Sequence, residues 1–151
     1  MAYLLIDRHG SAFADGCEYR AFRYLGCHRE RGGFVFRVFA PCAESAFVTG
    51  EFCNWTDAYP MTRLKDGGVW EGFVESDVIS RGDLYKYKFV TKSGEEIYKA
   101  DPFSPYSGTC PETASRVYPL GEYSWRDSAY MNARREKYSD NGARRLPISI
   151  Y

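Results

Sequence analysis

The run Val48 to Trp55, V-T-G-E-F-C-N-W, holds the residues of this chain best suited by type and spacing to recognition chemistry. Phe47 and Val48 fit a pleated, half-buried strand, and Gly50 relieves the backbone as the strand ends. Asn54 is a turn former that can project Trp55 outward. An indole held there by a rigid sheet offers a flat apolar face on which a sugar ring can stack. The same Trp would serve equally as a core or rim residue, and the run alone leaves both readings open.

Other chemistries find few residues to work with. His9 and His28 are the only histidines, far apart in the chain and without an evident acid partner, and there is no phosphate-binding or dinucleotide fingerprint. The five cysteines, Cys17, Cys27, Cys42, Cys53 and Cys110, include no C-x-x-C pair, so they read as reduced thiols with no metal or redox role. Arg134, Arg135, Lys137, Arg144 and Arg145 form a short basic cluster broken by Glu136 and Asp140. Without interleaved aromatics it reads as a solvated helix end rather than a nucleic-acid surface. No cofactor or metal site is expected.

Positioning Trp55 requires a sheet, and the chain reads as a series of short strands. Phe34 to Phe39 is a mostly buried strand closed by Ala40-Pro41, and Ala46 to Gly50 is the next. Lys65 to Gly68, K-D-G-G, signals a hairpin into Val69 to Val74. In Leu84 to Val90 the alternation puts Tyr85, Tyr87 and Phe89 on a packed face, with Lys86 and Lys88 on a polar one. Glu96 to Lys99 and Ala114 to Tyr118 follow as short strands. Asp101 before Pro102 is expected to fix its turn through the backbone, and Trp70 in G-V-W-E to lie in the core. Strands at this spacing predict an all-β, immunoglobulin-like antiparallel β-sandwich with short N- and C-terminal extensions. Residues 1–20 form a lead-in, 21–120 the sandwich and 121–151 a linker segment. Short strand or helix is expected around Tyr3 to Ile6 and Ala21 to Leu25, and Asp127 begins a helix over Ser128 to Lys137. Ser139 to Arg145 reads as a linker and Leu146 to Tyr151 as an apolar ending.

At 151 residues the chain has room for one real core. Its 20 Lys plus Arg balance 20 Asp plus Glu, so no net field draws it to nucleic acid or to an anionic membrane. The longest apolar runs are a few residues, and nothing resembles a secretion signal, which makes a cytoplasmic location the expectation. An aromatic content of 17% suits both a β-rich core and a carbohydrate surface, and does not separate them.

Several motifs taken in order resemble the N-terminal part of 1,4-α-glucan (glycogen) branching enzymes, which carries a carbohydrate-binding module of the family 48 type. They include Y-L-G-C-H at Tyr24 to His28, F-R-V-F-A-P at Phe36 to Pro41, the Val48 to Trp55 run, Pro60-Met61, G-V-W-E at Gly68 to Glu71, and Gly82 to Phe89. K-A-D-P at Lys99 to Pro102, P-E-T-A-S at Pro111 to Ser115, Trp125 to Asp127 and P-I-S-I-Y at Pro147 to Tyr151 complete the series. Phe39 stands where many members have Trp, and Cys53 where a more polar residue is usual.

The resemblance implies an α-1,4-glucan partner, glycogen or maltooligosaccharides. It extends to the glycogen-binding module of AMP-activated kinase β subunits, whose pattern falls on Trp55, Lys88 and Tyr98 here. Trp55 and Tyr98 would stack on sugar while Lys88 and Asn54 bond its hydroxyls. Trp55 contacting a neighbouring domain, and Lys86 and Lys88 forming a merely solvated face, are the competing readings. Family members continue from P-I-S-I-Y into a (β/α)₈ barrel whose carboxylates perform retaining glycosyl transfer, which needs two carboxyl groups about 5 Å apart. None of those residues maps onto this chain, so it is expected not to be an enzyme by itself. Its other expected partner is the catalytic barrel of the same enzyme. An apolar flank near Trp125 and Leu146 to Tyr151 would, if uncovered, favour a homodimer.

Overall fold

The computed structural model describes residues 19–64, 68–120 and 124–138. The chain divides into two units, Met1–Leu120 and Gly121–Tyr151.

In the first unit the strands are β1 (Gly26–Glu30), β2 (Gly33–Phe39), β3 (Ser45–Gly50), β4 (Tyr59–Pro60), β5 (Thr62–Arg63), β6 (Val69–Glu75), β7 (Leu84–Val90), β8 (Glu96–Lys99) and β9 (Ser115–Arg116). They form two antiparallel sheets, β1-β2-β6-β5 and β4-β3-β7-β8, with β9 also on β7. The result is an all-β sandwich. Its core draws on both sheets: Phe34, Phe36, Val38, Trp70 and Val74 from the first, Ala46, Val48, Tyr85 and Tyr87 from the second. The sheets meet where Phe36 and Tyr85 pack edge to face, 5.0 Å between ring centres.

The long strands lie where period-two patterning predicts them, and Trp70 is buried with its indole N–H donating to the Ala40 carbonyl at 2.9 Å. β2 is buried on both faces, because a one-turn 3₁₀ helix at Ala21–Arg23 brings Ala21, Tyr24 and Leu25 into a second apolar cluster with Val69. On that side Arg37 is sealed under the Tyr24 ring, 4.9 Å from its centre. It donates to Glu30 at 2.8 and 3.0 Å and to Glu71 at 2.7 Å. Burial works against the guanidinium's charge, but the bonds to the two carboxylates leave its pKa above the ordinary value.

Two expectations are corrected. Residues 26–30, placed in the sandwich but given no strand, are an edge strand paired Glu30↔Gly33 with β2. The turn uses positive φ at Arg31 (56°) and Gly32 (79°), and Arg at the first position is not the usual Asn-Gly signal. Lys88 does not stand on an open polar face either. It is covered, for reasons given below.

In the second unit a helix, α1 (Ser128–Tyr138), starts with Met131 N–H donating to the Asp127 carbonyl. Arg134 and Arg135 are exposed on it, and Trp125 just before it is 73% exposed. Among the described residues no helix is long and apolar enough to cross a membrane. The expectations for Tyr3 to Ile6, for the K-D-G-G turn at 65–67, for the linker and for Leu146 to Tyr151 fall outside the described residues.

Candidate functional site

The loop after β3 is built from its own short-range bonds. Gly50 ends the strand against the Leu84 carbonyl oxygen, with which any β-carbon would collide. A 3₁₀ turn over Glu51–Cys53 follows, tied to β7 by the Leu84 N–H donating to Glu51 Oε2 at 2.8 Å. Phe52 packs edge to face on Tyr59, 5.5 Å between centres, rooting the loop in the core. Cys53 is buried, its Sγ accepting from Gly50 N–H at 3.4 Å and lying 3.4 Å from the Gly50 and Thr56 carbonyl oxygens. A compact sulfur at this spot thus replaces a more polar side chain without leaving the turn unbonded.

Asn54 and Trp55 then adopt left-handed backbone, with φ of 50° and 61°. Trp55 N–H reaches back to the Gly50 carbonyl at 2.9 Å, and Thr56 Oγ1 donates to the Cys53 carbonyl at 2.7 Å. The outcome is an indole 41% exposed on a fixed turn. Asn54 is exposed beside it.

Strand register assembles the rest. Pro60 pairs with Phe47, Phe47 with Lys88, and Lys88 with Tyr98, so these four residues cross the outer face of the second sheet in one row. Tyr98 is 48% exposed. Lys88 is only 5% exposed, its ammonium 5.8 Å from the centre of the Phe47 ring and 5.9 Å from that of Tyr98. That ammonium donates to Asp57 Oδ2 at 2.7 Å and pairs with Glu96 Oε1 at 2.8 Å. The bond to Asp57, then that to Glu96, raises its pKa well above the ordinary lysine value. Lys88 is therefore a clamped cation, with two of its three donors already taken. Asp57, two residues past Trp55, is what links the indole turn to the Lys88–Tyr98 pair.

Sequence reasoning missed Asp57 and Glu96. The available signal was that acids flank both aromatics, in W-T-D and E-I-Y. Asp101 does fix its turn as expected, Oδ1 accepting from Phe103 N–H at 2.8 Å. It also accepts buried hydroxyl bonds at Oδ2 from Tyr85 at 2.6 Å and Tyr87 at 3.2 Å. Burial raises its pKa despite those bonds.

A groove of about 560 Å³ lies elsewhere, beside β1, lined by residues that include Phe22, Cys27, His28, Phe103 and Leu120. His28 is tied to the backbone, its Nε2 lying 2.9 Å from the Leu25 carbonyl oxygen. Among the described residues no group of three or more His, Cys, Asp or Glu side chains is arranged to hold a metal ion.

The sequence profile of carbohydrate-binding module 48, the isoamylase N-terminal domain, matches residues 24–104. The 1,4-alpha-glucan branching enzyme GlgB of Fusobacterium nucleatum is 38% identical over 134 residues, spanning 87% of this chain and 21% of its own length. That of Halothermothrix orenii is 41% identical over 118 residues, spanning 75% and 18%. The chain thus covers about a fifth of the length of these relatives. Among solved structures, a Klebsiella pneumoniae pullulanase complexed with maltotriose superposes with a TM-score of 0.53 at 25% identity, over 73% of this chain and 10% of its own. PulA from Klebsiella oxytoca gives a TM-score of 0.54 at 27% identity, over 71% and 11%.

Proposed function

The chain belongs to the carbohydrate-binding module 48 family, and on that premise we propose that it is the noncatalytic, α-1,4-glucan-binding module of a cytoplasmic 1,4-α-glucan branching enzyme. The observation that carries the reading is the outer face of the second sheet, where exposed Tyr98 stands by a lysine held by two carboxylates, one of them Asp57, two residues past exposed Trp55. Glucose units present apolar faces to the rings and hydroxyls to the polar rim. A maltooligosaccharide would stack on Trp55 and Tyr98, with Lys88, Asp57 and Asn54 bonding its hydroxyls. The module has no reaction of its own in this reading. It holds glucan near the catalytic barrel of a parent enzyme that cuts an α-1,4 chain and rejoins it to a 6-hydroxyl.

Calorimetric titration of the chain with maltoheptaose tests this. Saturable binding in the micromolar to millimolar range, about 4 to 8 kcal/mol, is expected, with loss in Trp55→Ala and weakening in Tyr98→Ala. Unchanged binding in both variants would refute the assignment of the site.

The second reading is a structural module that binds no sugar and packs on the barrel. The groove beside β1 favours it, because Phe22 and Leu120 stand exposed on its rim, and the curated relatives supply a much longer chain to cover them. A Phe22→Ser change should then weaken association with the separately expressed remainder of the enzyme, leaving maltoheptaose binding intact.

A further inference from the structure

The clamp on Lys88 changes what the aromatic row can accept. An ammonium carries three donors. Asp57 and Glu96 occupy two of them at 2.7 and 2.8 Å, so one remains for a ligand. Both carboxylates are well exposed, with side-chain exposures of 44% for Asp57 and 53% for Glu96, and each keeps lone pairs free for further bonds. The next lysine along the strand, Lys86, is directed away to the Thr113 hydroxyl at 2.8 Å. The clamp beside Tyr98 is thus rich in acceptors, with one cation set against two anions.

We infer that Asp57 and Glu96 are specificity-determining residues that make this site selective for neutral glucan and reject anionic, phosphate-bearing glucan. This rests on the glucan-binding reading of the same site. Neutral sugar hydroxyls donate to carboxylates at no electrostatic cost. A phosphate on a sugar seated against Tyr98 would face two negative charges, and the cation nearest to it, Lys88, already has both as partners. Had Lys88 stood free, the same row would attract phosphate instead. The clamp therefore decides the sign of the preference.

The test compares maltoheptaose with maltoheptaose phosphorylated at a 6-hydroxyl, titrated against the full chain at low and high salt. The phosphorylated sugar is expected to bind about fivefold more weakly at low salt, the scale of one like-charge contact across water, and the gap should narrow at high salt. In Glu96→Gln and Asp57→Asn the gap should close or reverse, because the charge of Lys88 is then only partly compensated. Glu96→Gln alters an exposed side chain on a short strand, and the salt series needs no variant at all, so the test survives if Asp57→Asn misfolds. Equal affinity for the two sugars at low salt, with maltoheptaose bound, would overturn this inference alone. Failure of maltoheptaose to bind the folded chain would overturn the glucan reading and this inference with it.

Discussion

Trp55 is exposed because two successive non-glycine residues accept left-handed backbone, a conformation that each pays for with strain of about 1 kcal/mol or more. Asn is among the few residues that tolerate it, so Asn54→Gly should fold as well as the parent. Asn54→Val should lose about 1 to 3 kcal/mol in urea unfolding, since a β-branched side chain is a true outlier there. Trp55 covers more than half of its surface, so Trp55→Ala should lower the melting temperature modestly while reducing maltoheptaose affinity by at least about tenfold, near 1.4 kcal/mol. The platform was legible in the sequence, because Asn-Trp after a strand has a local cause. Lys88 was legible only as an alternating polar position. Its burial comes from Asp57 and Glu96, which lie 31 residues before it and 8 after it, and no local pattern announces that they close over the same atom.

The elements are held by close approaches that allow specific tests. The end of β3 runs against the Leu84 carbonyl, so Gly50→Ala should destabilise the sandwich by about 1 to 3 kcal/mol through overpacking. Because the Trp55 turn begins at that point, its affinity for sugar should fall as well. Trp70→Phe, on β6, leaves the Ala40 carbonyl with only the Ala43 N–H at 3.2 Å and should cost about 0.5 to 1.5 kcal/mol, with no change in sugar binding. The long strands could be read from the sequence, β7 from its alternation and β2 from its continuous apolar run closed by Ala40-Pro41. The two-residue strands β4 and β5 could not, as Tyr59–Pro60 and Thr62–Arg63 are too short to show a period. β1 was missed because its pattern of Cys, His and Arg is not apolar, and its partner β2 lies across a turn that begins with Arg.

At the scale of the whole molecule, charges balance at 20 of each sign, so pH dependence arises from particular groups rather than from net repulsion. Hydrogen bonding from Arg37 holds Glu30 below its usual 4.5, so the stability it contributes is present above that value and is lost as pH falls through its lower folded pKa. Glu30→Gln should flatten the acid limb of a stability profile measured by urea unfolding. Asp101 carries the opposite sign. Burial raises its pKa above the usual 3.8, so its contribution is full below that value and is lost as pH rises through the folded pKa. Relative to Asp101→Asn, the parent should lose stability over that interval. The central claim concerns which surface meets glucan, and two-dimensional NMR of the labelled chain titrated with maltoheptaose tests it most directly. The account predicts saturable shifts confined to Trp55, Phe47, Lys88 and Tyr98. Shifts centred on the groove beside β1, or none at millimolar sugar in a folded sample, would contradict it.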